Sequence, residues 1–100
     1  MEPIVYRVCA SGDWSRKEKS LRRMVRELKK RMAGQPRPIQ FRGHVLLPMQ
    51  DGMTLVDVAG LLEAPYVGLP IRSSRLPAPM VEELVARGER YGVEVRFKEE

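Results

Sequence analysis

The 100-residue chain predicts an α+β fold: a two-layer sandwich of element order β-α-β-β-α-β on an antiparallel sheet, forming a single domain over residues 1–100. Three observations predict it. Leu21, Met24, Val25, Leu28 and Met32 recur at i, i+3, i+4, i+7 and i+11, the period of a helix packed along one side. Residues 39–47 and 93–98 alternate apolar and polar with the period of a half-buried strand. Asp51-Gly52 stands between two β-prone runs, as a hairpin turn would.

Taken in order, residues 4–9 form a short β-rich run with Ile4, Tyr6 and Val8 on one side and Val5, Arg7 and Cys9 on the other. Apolar side chains on both faces predict a central strand. Ser15 and Glu18 have the spacing of a capping box, in which hydroxyl and carboxylate satisfy free amides at a helix start. Gly34 supplies that helix's stop, and Pro36 and Pro38 prevent continuation. In the next strand Ile39, Phe41, Val45 and Leu47 share a face.

Residues 53–62 fit two elements. A strand over 53–59 closes a hairpin with the preceding run; a helix has Thr54 capping Leu55, Val58, Ala59 and Leu62. The Asp-Gly turn favours the hairpin. Residues 64–77 carry Pro65, Gly68, Pro70 and Pro77 without regular period and read as a long loop. Pro79 opens a second helix with Met80 or Val81, Leu84, Val85 and Tyr91 on its apolar side and Gly92 as its stop. Right-handed crossovers then place the first and third strands centrally with both helices on one face, the ferredoxin-like arrangement.

The hydrophobic share of 43% and charged share of 31% are those of a folded globular domain. No apolar run approaches the roughly 20 residues of a membrane helix, and Met1-Glu2-Pro3 does not start a signal peptide. The single cysteine, Cys9, excludes an internal disulfide and a multi-cysteine zinc site. The expectation is a cytoplasmic protein with no cofactor and no membrane partner.

Charge is unevenly placed. Residues 1–42 hold twelve Lys/Arg against four Asp/Glu, a net +8, while residues 43–100 hold six against nine, a net −3. A cationic front half implies a polyanion or an acidic protein surface as partner. On a helical projection Lys19, Arg22, Arg23, Arg26, Lys29 and Lys30 share an arc of roughly 120° opposite the apolar stripe, with Glu18 and Glu27 outside it. Like charges four apart cost about 0.2–0.5 kcal/mol per pair, a repulsion that phosphate oxygens would relieve and that salt otherwise screens. Arg37 and Arg42 extend this surface, and Arg72 and Arg75 flank two serines in a second phosphate-gripping candidate. Trp14 and Tyr66 offer stacking surfaces.

Other chemistry is thinly represented. His44, the lone histidine, lacks a second histidine or a carboxylate to orient it as a general base. Asp13, Asp51 and Asp57 are scattered, and Cys9 reads as a core thiol. The reading is therefore a small nucleic-acid-binding protein, RNA ahead of DNA, making phosphate contacts through its first helix, with RNA cleavage by His44 a distant third reading. The alternative is a protein-interaction or regulatory domain acting as a homodimer or subunit of a larger assembly. Its motive is the apolar segment Tyr66-Val67-Gly68-Leu69-Pro70-Ile71.

Overall fold

The computed structural model describes residues 2–8, 17–43 and 52–99, with residues 17–20 described by their backbone alone. Strand Ile4–Val8 (β1) is followed by helix Lys17–Met32 (α1), strand Ile39–Gly43 (β2) and helix Leu55–Leu61 (α2). Strand Tyr66–Arg72 (β3), a 3₁₀ turn Ser73–Arg75, helix Ala78–Tyr91 (α3) and strand Glu94–Lys98 (β4) complete the order. The strands form one sheet in the sequence β1-β2-β3-β4, and every neighbouring pair is parallel.

This corrects the antiparallel ferredoxin-like expectation. The segment expected to close a hairpin is α2, and the strand beside β2 comes instead from the presumed loop. Local hydrogen bonding explains why the helix prevails at residues 55–61. The Thr54 hydroxyl accepts from the backbone N–H of Val56 at 3.2 Å and of Asp57 at 3.4 Å, while the Asp57 carboxylate accepts from the Thr54 N–H at 2.7 Å. A complete capping box satisfies orphan donors that a strand start would leave to other partners. Asp51 of the expected turn, residues 44–47 of the expected second strand, and Ser15 lie outside the described residues.

β3 hides its nature because Gly68 and Pro70 are poor strand formers. Its pairing with β4 holds from Tyr66 to Gly68, shifts register, and resumes at Arg72, so Pro70 falls where the ladder needs no donor from it. β1 lies at an edge of the sheet rather than at its centre, and Val5 on its uncovered side is 44% exposed.

Parallel neighbours need crossover connections, and right-handed crossovers stepping always in one direction carry their helices to one face. Burial agrees. Ile4, Ile39, Phe41, Val67 and Leu69 are buried on the helix side, while Arg7, Arg42, Arg96 and Lys98, alternating with them, are exposed on the other. The Tyr6 ring meets Phe41 edge-on at 6.1 Å, and its hydroxyl donates to Glu27 Oε2 of α1 at 2.6 Å. Leu21, Leu28 and Met32 bring the apolar side of α1 onto this core. In α3 the buried stripe is Met80, Leu84 and Gly88, whereas Val85 and Tyr91, expected on that stripe, are 37% and 41% exposed.

Arg87 joins the helices. Its guanidinium donates to Asp57 Oδ2 and Glu83 Oε1, each at 2.9 Å, and to the Gly52 carbonyl. The Tyr91 hydroxyl donates to Asp57 Oδ1 at 3.1 Å. Asp57 thus caps α2 and anchors α3 with the same carboxylate.

Candidate nucleic-acid interface

The outward side of α1 follows from the stripe that buries its inward side. With Leu21, Leu28 and Met32 on the core, Arg22, Arg23, Arg26, Lys29 and Lys30 are exposed together. The Lys19 side chain lies outside the described residues. Glu27, placed outside the arc by the helical projection, still reaches Arg23, with Nε to Oε1 at 3.6 Å. Both groups are largely solvated, so the pair is weak. Arg26, Lys29 and Lys30 have no side-chain partner among the described residues. Arg31, at the same helix end, turns away and donates to the Val5 carbonyl at 3.2 Å, holding α1 against the edge strand.

The remaining candidates do not join this face. Arg37 lies before β2 and donates to the Glu2 carbonyl at 3.0 Å. Arg42 and Arg72 sit on the side of the sheet away from the helices, and Arg75 is exposed in the 3₁₀ turn. The Arg72-Ser73-Ser74-Arg75 run bends as that turn at the carboxyl end of β3. His44, Cys9, Trp14 and Asp13 lie outside the described residues. Asp57 is committed to Thr54, Arg87 and Tyr91, and no group of three or more metal-ligating side chains occurs among the described residues.

Beside the basic face, a groove of about 680 Å³ runs between the ends of α1 and α2. Val25, Met32, Leu61 and Leu62 supply its apolar surface, and Arg26, Lys29 and Lys30 its rim. Leu61 is 54% exposed there.

A second cationic surface escapes the helix-centred reading. The uncovered face of the sheet carries Arg7, Gln40, Arg42, Gly68, Arg72, Glu94, Arg96 and Lys98, with a groove of about 870 Å³ across much of it. Parallel sheets normally have both faces covered. No described element covers this one. The strict alternation of Glu94, Arg96 and Lys98 with Val95 and Phe97 is the available signal for this surface; its weight emerges only when β1 and β2 lie parallel in register.

Comparison with known proteins adds nothing to this geometry: no family model, no curated protein and no solved structure matches the chain.

Proposed function

We propose that the protein binds nucleic acid, RNA ahead of DNA, through phosphate contacts made by α1. The observation that carries this reading is the joint exposure of Arg22, Arg23, Arg26, Lys29 and Lys30 on one side of a sixteen-residue helix whose described carboxylate, Glu27, pairs with Arg23. Such a face tracks a phosphate backbone and gains by releasing its counterions.

The experiment is a titration of a short RNA duplex against wild type and the variant Arg22→Glu, Arg26→Glu, Lys30→Glu. All three positions are exposed, so the fold survives and circular dichroism is unchanged. Binding at low salt by the wild type and its loss in the variant are expected. Equal binding by both removes α1 from the interface, and no binding by either ends the reading.

An acidic protein segment is the second reading, favoured by the exposed Leu61 and the basic rim of the adjacent groove. The apolar stretch over residues 66–71 favours it less, because Val67 and Leu69 are buried within β3. Chemical-shift changes centred on Leu61 and Met32 with an acidic amphipathic peptide, alongside silence toward RNA, would select this reading.

A further inference from the structure

We infer that the uncovered face of the sheet is a separate site for single-stranded nucleic acid, with phosphates along the carboxyl ends of the strands and a base stacked on Arg96. Its ligand class rests on the nucleic-acid reading above, but its surface is independent of α1.

The first observation is a row of unrelieved like charges. Arg7 on β1 and Arg42 on β2 are direct register partners, and Arg72 on β3 and Lys98 on β4 are another such pair. Adjacent strands lie about 4.8 Å apart, so each pair holds two cations side by side, an arrangement that destabilises a sheet. None of the four side chains has a partner among the described residues. All four lie within the last two residues of their strands.

Extent identifies the ligand. The row crosses four strands, about 14 Å at three strand spacings, which is long for a single phosphate and suited to consecutive phosphates of an extended strand. A second copy of this chain does not fit, because facing sheets would bring two such rows together without a carboxylate for each cation. Glu94 and Glu99 are the acids at the groove, and Glu94 is already engaged.

That engagement is the second observation. The Arg96 guanidinium lies 3.7 Å from the centroid of the Tyr66 ring, while its Nε and Nη2 donate to Glu94 Oε2 at 3.2 and 2.9 Å. Tyr66 supports one side of the planar group and Glu94 holds its edge, leaving a side of the half-exposed guanidinium turned to solvent. Guanidinium planes held this way accept unpaired bases. Beside it the Gln40 carboxamide lies over Gly68, in the space that a Cβ there would fill. A duplex, whose bases are stacked inside, could not use this platform.

The test is fluorescence anisotropy with a labelled oligouridylate of about twelve nucleotides. Arg7→Gln with Arg42→Gln is expected to weaken binding by roughly tenfold or more and to flatten the slope of log K against log salt by about 1.4, at about 0.7 for each phosphate no longer neutralised. Arg96→Lys keeps the charge and removes the plane, so affinity falls several-fold while the slope stays. A second pair, Arg72→Gln with Lys98→Gln, repeats the first experiment if the Arg7/Arg42 variant fails to fold. In the background of the α1 charge-reversal variant the loss caused by Arg7→Gln with Arg42→Gln persists. Oligouridylate binding unchanged in both glutamine variants, lost only on reversal of α1, or matched by uridine monophosphate alone overturns the inference. The first two results would leave α1 as the interface, and the third would mark a small-anion site.

Discussion

Asp57 shows how much one side chain can organise. Burial tends to raise its pKa, but the hydrogen bonds from Thr54 and then the Arg87 guanidinium outweigh this and hold the carboxyl below its usual range. Asp57→Asn leaves Arg87 short of a partner in a half-buried position and should cost about 1–3 kcal/mol in urea unfolding at neutral pH. The sign with pH follows from the depressed folded value. The contribution is present above the unfolded carboxyl pKa near 4 and is lost as pH falls through the lower folded pKa, so wild type and variant should converge in acid. Tyr6 runs the other way. Burial first, then its bond to Glu27 and that group's charge, push its phenol up to about 12. Its contribution is complete below the unfolded value near 10 and is lost as pH rises through about 12. The phenolate absorbance of wild type minus that of Tyr6→Phe should therefore rise near 12; a midpoint near 10 would show that Tyr6 is not held against α1.

Among the elements, the close seating of α3 on β4 makes a prediction opposite to helix propensity. Alanine normally improves a helix interior over glycine by about 1 kcal/mol. A Cβ on Gly88 would meet the Val93 carbonyl and a Val95 methyl, so Gly88→Ala should destabilise the protein by roughly 1–3 kcal/mol, measured by thermal or urea unfolding. Periodicity alone gives no sign of this glycine's value, because in a helical pattern it reads as a weakness. The legible elements, α1, α3 and β4, each bury one side and solvate the other, so periodicity speaks directly. Thr54 is legible too, as the cap of one of two readings. The Asp-Gly signal outweighs it because turn chemistry is visible locally while the Arg87 anchor from α3 is not. β3 is hidden because its irregular stretch around Pro70 is tolerated only through the pairing to either side. Strand direction leaves no local trace in such short runs.

Across the whole molecule, the topology separates two cationic surfaces: α1 on the covered side and the Arg7–Arg42–Arg72–Lys98 row on the uncovered side. The charge asymmetry of the first 42 residues anticipates the helix face, since that face depends on residues close in sequence. It does not anticipate the row, which is assembled from four strands and exists only because all of them run the same way. Among the described residues, no helix is long and apolar enough to cross a membrane, so neither surface is accounted for by a spanning segment. The most direct test of a phosphate-binding α1 is the salt dependence of RNA-duplex binding by the wild-type protein. Phosphate contacts through Arg22, Arg23, Arg26, Lys29 and Lys30 predict a slope of log K against log salt between about −3 and −5. A slope near zero, with binding retained, would contradict it.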